Sequence, residues 1–102
     1  MKLRSGIEIP ADQVADVCRR YGVHELLVFG SAAKGGLRPD SDIDLLVEFE
    51  PHASVGYFDL FAMEEELTRL LGRRVEATTR QGLKPWIRPS VEQDAETIFH
   101  AA

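Results

Sequence analysis

An apolar run that ends in a small-residue turn, followed by a polar stretch and then two carboxylates alternating into a second apolar run, constrains this chain more than any other feature. The segment reads Val28-Phe29-Gly30-Ser31-Ala32-Ala33-Lys34-Gly35-Gly36-Leu37-Arg38-Pro39-Asp40-Ser41-Asp42-Ile43-Asp44-Leu45-Leu46-Val47. Two short aliphatic runs separated by glycines and a proline read as two strands and the loop between them. Alternate strand positions share a face about 6.5–7 Å apart along the backbone, so Asp42 and Asp44 point the same way. Carboxylates are depleted in strands, and two on one face repel. A divalent cation held between them offsets that cost. The Gly30-Ser31 turn offers backbone N–H groups and a hydroxyl where a phosphate can sit. A phosphate cradle beside metal carboxylates is the equipment of phosphoryl or nucleotidyl transfer. Mg²⁺ is the natural cation, because it uses one or two carboxylates plus substrate phosphates and water.

The rest of the chain supplies a scaffold of matching size. Val14, Val17, Cys18 and Tyr21 form one apolar helical face, begun by Pro10 and stopped by Gly22. His24 to Phe29 and Asp42 to Phe49 are the two strands; Ser31 to Lys34 opens a brief helix, and Gly35 to Asp40 is a loop. Tyr57 to Leu71 is the strongest helix, with Leu60, Met63, Leu67, Leu70 and Leu71 on one face, and Gly72 ends it. Arg73 to Thr79 is a third strand. Gly82 to Pro89 is irregular. Ser90 with Gln93 reads as a capping box that starts a last helix with Val91, Ala95 and Ile98 on one side. Met1 to Ile9 reads as a loose arm or a short edge strand. The order α-β-(short α)-β-α-β-α gives one domain over residues 1–102, a small α/β (α+β) sandwich with helices packed mainly on one face of the sheet.

Composition narrows the function classes. A net charge of −5 argues against general coating of nucleic acid. The single cysteine, Cys18, excludes an internal disulfide and a cysteine-rich zinc site and suits a core position. His24, His52 and His100 lie in no metal-ligand spacing. Lys2, Arg4 and Glu8 among scattered apolar residues do not read as a secretory signal, and no apolar run reaches membrane-spanning length, so a cytoplasmic location is expected. Arg73, Arg74, Arg80, Lys84 and Arg88 form a basic stretch, either a solvated face or a contact for phosphates or an acidic partner, with Arg80 and Arg88 as docking residues. Trp86 and Phe99 read as packing residues, with partner anchoring as the alternative for Trp86.

Gly30-Ser31, about ten intervening residues, and Asp42-Ile43-Asp44 resemble the signature of the polymerase-β-like nucleotidyltransferases. The likeness is closest to the minimal nucleotidyltransferases, antitoxins of two-gene modules whose toxin is a HEPN-domain ribonuclease. It runs from about Val14 to Ile98. The resemblance implies a mixed sheet and a reaction moving AMP from ATP, with Mg²⁺, to a hydroxyl, with a tyrosine of the HEPN toxin as acceptor. It implies metal binding by Asp42 and Asp44, and close backbone approach to nucleotide at Gly30. Triphosphate contacts would come from Ser31, with Lys34 where the family often has arginine, and Ser41 beside them. In Leu71-Gly72-Arg73-Arg74-Val75-Glu76, the last residue takes the place of the family's third aspartate, as metal ligand and acceptor of the nucleophile's proton. Two alternatives stand beside it: a degenerate antitoxin acting by occlusion, and an enzyme modifying a small molecule such as an aminoglycoside. The implied partners are the HEPN toxin and ATP, without stable nucleic-acid or membrane binding; self-association is left open.

Overall fold

Each helix follows its apolar spacing. α1 (Ala11–Tyr21) buries Val14, Val17 and Cys18, and Gly22 ends it in a left-handed conformation, φ 72°. α2 (Tyr57–Leu71) buries Met63 and Leu67. Its first turn is tied by the Gly56 N–H donating to Asp59 Oδ2 at 3.0 Å. The computed structural model describes residues 1–30, 33 and 41–101. Of the segment expected to form a brief helix, Ala33 is helical and buried; Ser31, Ala32 and Lys34, and the expected loop from Gly35 to Asp40, lie outside the described residues.

Strands β1 (Val23–Phe29), β2 (Ile43–Phe49), β3 (Val75–Thr79) and β4 (Glu96–His100) form a four-stranded sheet in the order β3-β2-β1-β4. β1 runs antiparallel to β2 and β4, and β2 runs parallel to β3. The parallel pair follows from connecting β2 to β3 through α2, since parallel neighbours need a crossover. The sheet is mixed, as the resemblance implied.

One face of the sheet carries Leu26, Val28, Ile43, Leu45 and Val47, and packs with Val14, Val17, Cys18, Met63 and Leu67 of α1 and α2. Burial pushes the Cys18 thiol up to about 12, which leaves it a neutral core side chain. The opposite face carries Leu27, Phe29 and Leu46 under Leu83 and Val91. The N-terminal arm folds back on itself through a Lys2–Glu8 bridge and buries Leu3 and Ile9 in the main core. The outer edge of β3 is closed by α2. The Val75 N–H donates to Thr68 Oγ1 at 3.0 Å and the Ala77 N–H to Glu64 Oε2 at 2.6 Å. Both donors are thereby removed from any approaching strand. Among the described residues, no helix is long and apolar enough to cross a membrane.

The end of the chain departs from the expectation. The last helix, α3, is short (Arg88–Asp94), begins before Ser90 with proline in its first turn, and has no side-chain cap. Ala95 is extended, and the residues after it form β4. Val91 packs on one face of the sheet and Ile98 on the other, so their helical spacing is a coincidence of two elements. Glu96-Thr97-Ile98-Phe99-His100 is β-branched and aromatic in the middle, and it hydrogen-bonds the edge of β1 that β2 leaves open.

The strand assignment has a measurable consequence. Ile98 is 4% exposed, so Ile98→Val should cost about 1 kcal/mol and Ile98→Ala about 3 kcal/mol. Urea unfolding measures both; near-neutral values would mean Ile98 is not in the core.

Candidate functional site

Register assembles the site. The parallel β2–β3 pairing sets Asp44 opposite Glu76, and the antiparallel β1–β2 pairing sets Asp44 opposite Phe29. The residue after Phe29 is Gly30, so the turn leaves β1 directly beside the Asp44 carboxylate. Asp42 stands one residue before β2, two positions from Asp44 and on the same side by alternation. Arg74, likewise two positions before Glu76, forms an ion pair with it, Nη2 lying 3.6 Å from Glu76 Oε1. Its backbone carbonyl accepts the Ile43 N–H at 2.8 Å, which brings Arg74 level with Asp42. Three carboxylates and one guanidinium therefore share one patch, on the sheet face that also carries Leu46.

Gly30 is required there on two counts. Its φ of 70° is strained for any other residue. A Cβ at this position would lie 2.7 Å from Asp44 Oδ2. The backbone and the carboxylate are in near contact, and only the missing side chain allows it.

Charge accumulates at Asp44. Burial raises its carboxyl above the usual value, and the carboxylates of Glu76 and Asp42 raise it further. The donor set fits Mg²⁺: hard oxygen ligands, gathered at a cost in repulsion that a divalent cation offsets. The fit is closest for Asp42 and Asp44. Glu76 is 51% exposed and paired with Arg74. Among the described residues, no three His, Cys, Asp or Glu side chains close into a ready metal cage. For Glu76 to join a cation at Asp42 and Asp44, its side chain would have to leave Arg74. Of the other sequence-derived site residues, Ser41 directly precedes Asp42 and is half-buried, while Ser31 and Lys34 lie outside the described residues.

The basic stretch does not form one surface. Arg80 binds Glu48, with Glu25 at 3.6 Å and Glu92 at 3.4 Å, joining β1, β2 and α3. The expectation of Arg80 as a docking residue is therefore corrected: its guanidinium holds three elements together. Trp86, expected to pack, is 74% exposed, whereas Phe99 does pack against the main core. His24 and His100 meet edge-to-face at 4.9 Å, with His24 Nδ1 3.3 Å from Glu50 Oε1. The Arg80 node had no signal in the sequence, because it joins elements paired across long separations. Arg74 and Glu76 are same-face strand neighbours, but the level of Arg74 with Asp42 depends on the β2–β3 register. A cleft of about 450 Å³ lined by Gln13, Arg20, Glu66 and Arg69 lies between the helices, behind the sheet from the carboxylates. Its Glu66 is engaged by Arg20 at 2.7 Å and by the Tyr21 hydroxyl, a structural arrangement.

Comparison with known proteins identifies the family and the fold. The nucleotidyltransferase domain family matches residues 12–98. A protein adenylyltransferase MntA of Thermococcus cleftensis is 43% identical over 72 residues, 71% of either chain. A solved structure described as a candidate minimal nucleotidyltransferase superposes with a TM-score of 0.72 at 38% identity, covering 84% of this chain and 86% of that one. The fold also recurs, at 13% identity, in a structure of a tri-AMPylated HEPN toxin with its MNT antitoxin from Shewanella oneidensis. There the TM-score is 0.64, covering 89% of this chain and 70% of that one.

Two experiments probe the patch. Gly30→Ala should destabilise the fold by about 1–2 kcal/mol, and by less in an Asp44→Ala background, where the clashing oxygen is gone; a double-mutant cycle by urea unfolding measures the difference. A carboxyl held above its unfolded value binds its proton more tightly in the fold, so its contribution to stability falls as pH rises through that interval. Glu66, held below its usual value by Arg20 and Tyr21, contributes with the opposite slope. Asp44→Asn should therefore remove only the falling component, and raise stability at neutral pH by a few tenths of a kcal/mol, on the order of a relieved cross-strand repulsion. Paired urea titrations across the carboxylate range check this.

Proposed function

The chain belongs to the nucleotidyltransferase domain family, and from that premise we propose that it transfers AMP from ATP to a hydroxyl of a HEPN-domain toxin, as the antitoxin of that pair. The observation that carries the reading is the register that sets Glu76 opposite Asp44, with Asp42 two positions before it and the Gly30 turn alongside. The acceptor oxygen attacks the α-phosphorus of ATP, the bond from that phosphorus to the β-phosphate oxygen breaks, and pyrophosphate leaves. The hydroxyl proton passes to the Glu76 carboxylate. Asp42 and Asp44 would hold Mg²⁺, which when bound supplies Lewis-acid polarisation of the phosphoryl oxygens and neutralises developing charge. Gly30 lets the triphosphate approach the backbone, and Ser31, Lys34 and Ser41 are assigned to its oxygens. The raised Asp44 carboxyl favours cation binding as pH rises, since the competing proton leaves.

The acceptor class rests on the relatives. The Thermococcus protein is named a protein adenylyltransferase, and the toxin in the Shewanella pair is tri-AMPylated. A tyrosine hydroxyl on the toxin is the assigned acceptor, and the cytoplasm the assigned location. One observation favours a second reading, neutralisation by occlusion without chemistry: Glu76 pairs with Arg74, and the three carboxylates do not close on one point.

Intact-mass spectrometry of the HEPN partner, co-expressed with this chain, separates the two. AMP transfer predicts a partner heavier by one or more adenylyl groups. Asp42→Asn and Asp44→Asn should lower transfer by about two to three orders of magnitude, the scale of losing one preorganised electrostatic group. Glu76→Asp should keep or raise the rate, and Glu76→Gln should lower it sharply. A partner that is bound, neutralised and unmodified would replace transfer with occlusion.

A further inference from the structure

The segment Lys84-Pro85-Trp86-Ile87-Arg88-Pro89 contains the chain's one tryptophan and is absorbed by none of the chemistry above. Leu83 and Val91 pin its two ends onto Leu46, so it crosses the same sheet face that carries Asp44 and Glu76. The Ile87 N–H donates to Lys84 O at 2.9 Å and the Val91 N–H to Ile87 O at 3.0 Å, and prolines at positions 85 and 89 stiffen the turn. Trp86 stands 74% exposed at its crest, with Ile87 39% exposed beside it. Lys84 Nζ lies 5.5 Å from the centroid of the indole ring.

A large apolar side chain left in water is an unfilled contact. The flanking prolines restrict the backbone that carries it, which lowers the ordering cost of binding and suits an interface anchor. Charge selects the occupant. The neighbouring surface is acidic: Asp42, Asp44 and Glu76 on one side, and Glu25, Glu48 and Glu92 around Arg80 on the other. Residues 84–89 carry two cations and no acid. An acidic protein surface is repelled by the rest of this face and accepted at the turn, which sets where it docks.

We propose that Trp86 and Lys84 form the docking point for the acceptor protein, receiving an apolar pocket with an acidic rim and so presenting the acceptor hydroxyl to the carboxylates. The inference rests on the AMP-transfer reading above and specifies its protein contact.

A single tryptophan makes the test direct. The chain is labelled with 5-fluorotryptophan, and the ¹⁹F line is followed while the unlabelled HEPN partner, and separately ATP with Mg²⁺, is added. The line should shift with the partner and stay in place with nucleotide alone. Trp86→Ala should weaken partner binding by at least about tenfold, as loss of an anchoring aromatic does. It should leave the thermal midpoint and the KM for ATP near wild type, and Trp86→Phe should restore part of the affinity. Lys84→Glu should weaken binding most at low salt. Binding within twofold of wild type in Trp86→Ala would overturn the proposal even where the wild-type chain still AMPylates its partner. A ¹⁹F shift with ATP alone would assign Trp86 to the nucleotide instead. Self-association that disappears in Trp86→Ala would assign the turn to a second copy of the chain. Failure of the wild-type chain to modify the HEPN protein is a separate result and bears on the transfer reading.

Discussion

Like-charge repulsion is the constraint around which this small fold is arranged. Asp42, Asp44 and Glu76 come together because two strands pair in parallel at one register, and the pairing is held by everything behind it. Leu45 and Val47 of β2 are buried on the opposite face, so a slip of one residue would turn the carboxylates into the core. The hydrophobic core thus fixes the positions of groups that, left to themselves, would separate. Burial accounts for the larger part of the rise in the Asp44 carboxyl, and the nearby Glu76 and Asp42 carboxylates add to it.

Gly30 and Arg74 moderate the crowding in different ways. Gly30 yields space, since a Cβ there would press on Asp44 Oδ2 at 2.7 Å. Arg74 yields charge, partly neutralising Glu76 in the absence of a cation. Both side chains of that pair are more than half exposed, so the ion pair is weak. Were Glu76 to act as a metal ligand, its extra methylene would give it the reach to move between Arg74 and the cation.

The elements and the carboxylate pair were legible because they rest on local periodicity and local turn chemistry. α1, α2, β1, β2 and β3 follow apolar spacing and the glycines at positions 22 and 72. Asp42 and Asp44 are two residues apart, and the Gly30 turn stands twelve residues before Asp42. β4 was misread as helix because Val91 and Ile98 happen to be seven apart, and the hydrogen bonds of β1 that decide the matter come from the far end of the chain. Arg80 was misread for the same kind of reason: its acids sit on β1, β2 and α3, and a sequence does not display which charges meet in space. Trp86 inverted the usual correlation between tryptophan and burial, because Leu83 and Val91 take the apolar contact on either side and leave the turn between them proud of the surface.

The crossover through α2 also bears on how the fold assembles in time. Gly30 and Asp44 meet through an antiparallel strand pair close in sequence, whereas Glu76 meets Asp44 across the whole α2 crossover, with Thr68 and Glu64 of α2 sealing the edge of β3. Contacts between distant segments close a longer loop and come later along the folding coordinate. Where the third carboxylate joins the patch only after the folding barrier, the repulsion it brings acts chiefly on the escape rate from the native state, with little effect on the rate of reaching it. A cation that settles among the three acids would slow unfolding more than it speeds folding, so the loaded protein gains a longer native lifetime.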